Sequence, residues 1–138
     1  MRGEKLRILR YNNVMGKKRY KDLTPTERKE YDRDGHLRRK YGISLVEYNR
    51  MRKEQEYCCL ICGRHEDDIR PTLREPKKGR PPDPLVVEHC HDTGAIGGLT
   101  CSRCNTGLGA FNDDPDMLRK AIAYLKLRES KSPPTLFG

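Results

Sequence analysis

Two short cysteine pairs, Cys59-x-x-Cys62 and Cys101-x-x-Cys104, restrict what this 138-residue chain can fold into more than any other feature. A Cys-x-x-Cys turn lets two thiolates reach one ion at about 2.3 Å without straining the backbone, and two such turns complete a closed tetrahedral site. The pairs predict one structural Zn²⁺ held by Cys59, Cys62, Cys101 and Cys104. Buried thiols or disulfides are the competing reading. It is the weaker one, because paired Cys-x-x-Cys spacings rarely arise without metal and nothing in the sequence suggests an oxidising compartment. Cys58 adjoins Cys59 and competes for the same ligand position; Cys59 is preferred because the longer gap from Cys58 to Cys62 makes a looser turn. The stretch from Arg64 to Pro84, rich in charge and proline, reads as a loop insertion that leaves the metal geometry unharmed.

The clamp encloses the densest cluster of proton-transfer groups in the chain, Glu88-His89-Cys90-His91. Leu85-Val86-Val87 is a β-branched apolar run leading into it, so the histidines are expected at the end of a strand, and Asp92-Thr93-Gly94 supplies turn chemistry for a return. On a strand His89 and His91 share one face and Cys90 points to the other, as a small core residue. Asn105 follows Cys104 directly, in a segment expected to start as a helix that Gly107 and Gly109 end. If zinc draws the two turns together, Asn105 moves towards the strand end that carries Glu88 and His89. A carboxylate and an amide oxygen are hard ligands that suit Mg²⁺ or Mn²⁺, leaving His89 free as a base.

The string Val87-Glu88-His89-Cys90-His91-Asp92-Thr93-Gly94, followed by Gly98-Leu99-Thr100-Cys101-Ser102-Arg103-Cys104-Asn105-Thr106-Gly107-Leu108-Gly109, resembles the recombination endonuclease VII family of phage and bacterial nucleases. The resemblance is strong from Cys59 to about Leu125. It implies an α+β fold: a small zinc-stabilised ββα-metal, or His-Me finger, core with flanking helices. It also implies a DNA endonuclease in which His89 is the general base and Glu88 and Asn105 hold a catalytic Mg²⁺ or Mn²⁺. His91 then assists by phosphate contact or positioning. The family usually has aspartate where this chain has Glu88, and arginine where it has Gly97; the extra methylene of Glu88 moves its carboxylate outward by one carbon–carbon bond. Related nucleases act on branched DNA as dimers, so a homodimer is a further expectation. The other function class is a non-catalytic zinc-stabilised DNA-binding module on the same scaffold.

Charge agrees with a nucleic-acid partner. The net charge is +9, and the first 56 residues carry 17 basic against 9 acidic side chains while the rest carry 12 against 11. The expected phosphate contacts are Lys17, Lys18, Arg19, Arg38, Arg39 and Lys40, with Arg103 beside the second cysteine pair; such contacts make affinity fall as salt rises. Residues 1–56 therefore read as a basic arm and helical lead-in, 57–128 as the nuclease domain and 129–138 as a flexible tail. Thr24-Pro25-Thr26-Glu27 is a capping box that predicts a helix to about Tyr41 with Gly42 as its stop, and Ser44-Leu45-Val46-Glu47 opens a second, to about Gln55. Asp114-Pro115 caps a further helix, whose Met117, Leu118, Ala121, Ile122 and Leu125 fall at helical spacing and are read as core, with a dimer interface as the sharper alternative. The longest apolar stretches are far too short to span a bilayer and no leader pattern is visible. The expectation is a cytoplasmic protein, phage-encoded within a bacterial host.

Overall fold

The computed structural model describes residues 18–74 and 82–131; Lys17 lies outside the described residues, as does the tail from 132 onward. The chain divides between Glu54 and Gln55 into two units. It is an α+β protein, with five helices, a two-stranded antiparallel sheet and a cluster of four cysteines among the described residues.

In the first unit a 3-10 turn, Tyr20–Asp22, precedes helix α1, Pro25–Tyr41. The capping box forms as read: Glu27 N donates to Thr24 Oγ1 at 3.2 Å and Thr24 N to Glu27 Oε2 at 2.7 Å. Gly35 does not interrupt the helix, and Gly42 ends it in the left-handed conformation at φ 75°, which glycine adopts without a steric penalty. Helix α2, Leu45–Glu54, opens on a second reciprocal box between Ser44 and Glu47. Asp34 joins the two helices. Its carboxylate, 4% exposed, accepts from Arg38 Nε at 2.6 Å and from Leu45 N at 2.7 Å, satisfying an amide that the start of α2 leaves without a helical partner. Around it Leu23, Leu37 and Tyr48 are buried, with the Arg33 guanidinium 4.5 Å from the Tyr48 ring centroid. Asp34→Ala would strip both partners at once, and we expect a loss of about 2–3 kcal/mol in denaturant unfolding of the full chain. An unchanged midpoint would refute this role.

The second unit begins with a tight turn around the first cysteine pair. Cys59 N donates to Arg64 O and Gly63 N to Cys59 O, while Cys58 and His65 form an antiparallel bridge. His65 is half-buried and caps the short helix α3, Glu66–Ile69, by accepting from Asp67 N at 3.2 Å. A 3-10 turn follows at Arg70–Thr72. Strands β1, Leu85–His89, and β2, Ile96–Cys101, form a hairpin, and α4, Ser102–Ala110, starts on the residue after β2 ends and packs against both strands. Leu85 pairs with Cys101 and Val87 with Leu99; side chains two apart share a face, and all four are buried. The outer side of β2 is held by a side chain: Gln55 donates to Leu99 O at 2.9 Å and accepts from Leu99 N at 2.8 Å, while Leu60 N also reaches Leu99 O.

Three sequence expectations change. The glycines do not end α4, which runs through Gly107 and Gly109 and is closed instead by Asn112 and Asp113, both left-handed at φ 54°. The apolar stripe of α5, Pro115–Lys131, is not core, because the helix buries none of its residues and Met117, Ile122 and Leu125 are exposed. Helical periodicity reports which face is apolar, not whether anything covers it. The same helix extends through Lys131, into the segment read as a loose tail.

Candidate functional site

The four cysteines converge although 38 residues separate Cys62 from Cys101. Their sulfurs all lie within 4.8 Å of one another, and Cys62 Sγ is 3.9 Å from Cys101 Sγ. Four bonds of about 2.3 Å in a tetrahedron put sulfurs about 3.8 Å apart, so the donor set and its spacing both fit one zinc ion. Cys59 joins this group; Cys58 does not, and its Sγ faces Glu56 O at 3.4 Å. Backbone amides point at the sulfurs, Cys101 N at Cys59 Sγ (3.2 Å) and Cys104 N at Cys101 Sγ (3.5 Å). Burial pushes the Cys59 thiol up, but N–H groups of Cys62, Cys101 and Ile61 outweigh it and bring it down to about 7. Burial, together with hydrogen bonds that the Cys104 thiol donates to Cys101 and Cys62, pushes Cys104 up to about 12. Four thiols this close cannot all ionise unless a cation joins them.

Cys101 occupies a joint position. It is the last residue of β2 and the N-cap of α4, so the cysteine cluster fixes where the strand stops and the helix begins. That places Asn105, half-buried, in the second turn of a helix lying against the strands that carry Glu88 and His89.

The hairpin register breaks at the predicted catalytic residues. Glu88 pairs with Gly98 and His89 with Ile96, leaving Gly97 as the extra residue of a β-bulge. Glu88 is half-buried, and no described residue hydrogen-bonds its carboxylate. β1 ends at His89, so His91 is not a strand residue as expected but sits in the turn. The turn nevertheless brings the two imidazoles edge to face, with ring centroids 5.0 Å apart. His91 Nδ1 is also 2.7 Å from Asp113 Oδ2, a partner that sequence reading missed because it lies 22 residues away in the loop after α4. Cys90, expected in the core, is exposed because the strand stops before it; hydrogen bonds from Thr93 and from the Asp92 backbone lower its thiol.

The basic candidates divide by what they already touch. Lys18 pairs with Glu27 at 2.8 Å, Arg19 with Asp22 at 2.9 Å and Arg38 with Asp34, while Lys40 lies over the Tyr41 ring. The Lys18 ammonium and the Thr24 N–H hold the Glu27 carboxyl down at about 2. Arg39 and Arg103 are exposed, and Arg103 opens with Arg64 and Arg74 onto a cavity of about 570 Å³ whose wall includes Cys101. Among the described residues no helix is long and apolar enough to cross a membrane.

A hairpin that runs into a helix through a cysteine of a four-thiol cluster, with paired histidines at the hairpin's end, is the setting in which the family likeness can be stated. The chain belongs to the recombination endonuclease VII family, whose model matches residues 34–127. Curated relatives include a gene 59 protein of Mycobacterium phage D29, 37% identical over 87 residues that make up 62% of this chain and 45% of the relative. The gene 59 protein of Mycobacterium phage L5 is 36% identical over 86 residues, 62% of this chain and 44% of the relative. This chain therefore spans less than half the length of either relative. No solved structure matches it.

Proposed function

We propose that this chain is a metal-dependent DNA endonuclease of the His-Me finger type, hydrolysing phosphodiester bonds. The observation that supports the reading is the single break in the hairpin register, which falls at Glu88 and His89, the last two residues of β1. His89 accepts the proton of the attacking water, the work for which a neutral imidazole at physiological pH is suited. Glu88 and Asn105, hard oxygen donors, are the residues that would hold Mg²⁺ or Mn²⁺. That ion, when bound, supplies positive charge to the phosphate and the leaving 3′ oxygen. His91, held by Asp113, contacts the phosphate, and Arg39, Lys40 and Arg103 draw the DNA backbone in. Zinc in the four-cysteine cluster keeps α4 docked on the hairpin. A second copy of the chain is the partner this reading gives to the exposed stripe of α5. The phage relatives support a setting inside an infected bacterial cell.

The test is incubation of the full chain with supercoiled, linear and branched DNA in Mg²⁺ or Mn²⁺. Metal-dependent cleavage of at least one substrate is expected; a folded, zinc-loaded protein that cuts none of them while still binding DNA would favour the non-catalytic binding module. Asp113→Asn gives a finer check. Asparagine tolerates the left-handed backbone at this position, so the fold is retained while the charge behind His91 is lost. Cleavage is expected to fall by about tenfold, in line with the loss of a hydrogen-bonded partner behind an active-site histidine, and an unchanged rate would remove His91 from the site.

A further inference from the structure

We propose that Gly97 is a positioning residue for Glu88, and that the carboxylate can take its place at the end of β1 only because residue 97 has no side chain. Gly97 is the unpaired residue of the bulge, opposite the step from Glu88 to His89. An ideal Cβ built at position 97 overlaps Glu88 Oε2 and stands 3.3 Å from Glu88 Cδ. Gly97 has no left-handed backbone angle, so its conformation is open to any residue and the reason for glycine here is space. Two other glycines nearby, Gly107 and Gly109, have nothing within 4 Å of a built Cβ. The overlap at Gly97 falls on a flexible side chain, not on backbone. The hairpin can therefore absorb an alanine by swinging the carboxylate away, and the cost appears in the position of Glu88 and not in folding.

The functional half of this inference rests on Glu88 being a ligand for the divalent ion. A glutamate fits over the bulge only when residue 97 is glycine, whereas an aspartate, one methylene shorter, stops short of the space a Cβ would fill. The consequence is a coupling between the two positions: the effect of a methyl group at 97 depends on which acid stands at 88.

The experiment is a double-mutant cycle on the zinc-loaded full chain: wild type, Gly97→Ala, Glu88→Asp and the double variant. Two readouts are used, Mn²⁺ titration followed by electron paramagnetic resonance and the ¹³C resonance of the Glu88 carboxyl group, assigned with Glu88→Gln. Gly97→Ala is expected to shift the Glu88 resonance and to weaken Mn²⁺ binding by about tenfold, the scale seen when a ligand loses its supporting geometry. In the Glu88→Asp background the same alanine is expected to change Mn²⁺ affinity less than twofold. An unmoved resonance in Gly97→Ala overturns the positioning claim whatever the metal does. An equal loss of affinity in both backgrounds overturns the coupling. A wild-type protein that binds no Mn²⁺ while the resonance still moves overturns Glu88 as a ligand, and with it the role given to Gly97, and leaves only the packing. Zinc content and the unfolding midpoint, measured alongside, are expected to stay at wild-type values in all four proteins.

Discussion

His89→Ala is expected to lower metal-dependent DNA cleavage by about 10²- to 10⁴-fold, the range a general base contributes by taking a proton in the transition state. The lower end of that range is the better expectation. The His91 ring lies 5.0 Å from that of His89 and is held by Asp113, so a second imidazole stands near enough to accept part of the burden. His89→Ala/His91→Ala should then fall further than either single variant, with the two effects not adding independently. The structural cost is expected to be small. His89 is the terminal residue of β1 and is only half-buried, whereas the core of the hairpin is made by Leu85, Val87 and Leu99. Zinc content and unfolding midpoint should therefore match the parent, and single-turnover cleavage at saturating Mg²⁺ is the measurement. Parental rates in His89→Ala would assign the base elsewhere.

The second large effect concerns the cysteine cluster. Cys101→Ser is expected to abolish zinc retention and to unfold the second unit at 25 °C. Structural zinc sites of this kind bind with an apparent free energy of about 10–16 kcal/mol, against a net stability of about 5–15 kcal/mol for an ordinary domain, so losing one ligand removes a large part of what holds such a unit. Among the described residues the apolar core available to this unit without metal is small: Ile69, Leu85, Val87 and Leu99, beside the two buried cysteines. Cys58→Ser and Cys90→Ser, outside the cluster, should keep one zinc per chain and the parental circular dichroism. Because protons compete for the thiolates, zinc affinity should fall as pH falls. Metal analysis after gel filtration and denaturant unfolding distinguish the outcomes, and a natively folded Cys101→Ser protein would show that the cluster is not what holds the hairpin to α4.

Local chemistry carried most of the legible information. Thr24-x-x-Glu27 and Ser44-x-x-Glu47 announced helix starts because capping is settled within four residues, and Leu85-Val86-Val87 announced a strand that does end at His89. The cysteine pairs could be read as one cluster because Cys-x-x-Cys geometry is also local. What could not be read depended on register or on distant partners. The bulge is a mismatch between two strands, so Glu88 and Gly97, which looked like two separate departures from the family pattern, meet only in the folded hairpin. Asp113 reaches His91 because Asn112 and Asp113 adopt left-handed angles after α4, where glycine at 107 and 109 had suggested an earlier stop. The stripe on α5 was legible as amphipathic and misread as buried, since periodicity carries no information about neighbours.

A sheet of two strands has two open flanks, and each unpaired row of backbone groups is a template on which another extended chain can grow. Gln55 closes one of them. By giving its amide to both the N–H and the C=O of Leu99, with Leu60 adding a further N–H, it imitates the neighbour that a third strand would have been. Protection of that flank from strand addition therefore rests on Gln55, at the boundary of the second unit, and on Cys59 and Leu60 of the first metal-binding turn. Loss of zinc that loosened this turn would also uncover the flank, so the metal-free protein should be aggregation-prone before it is fully unfolded.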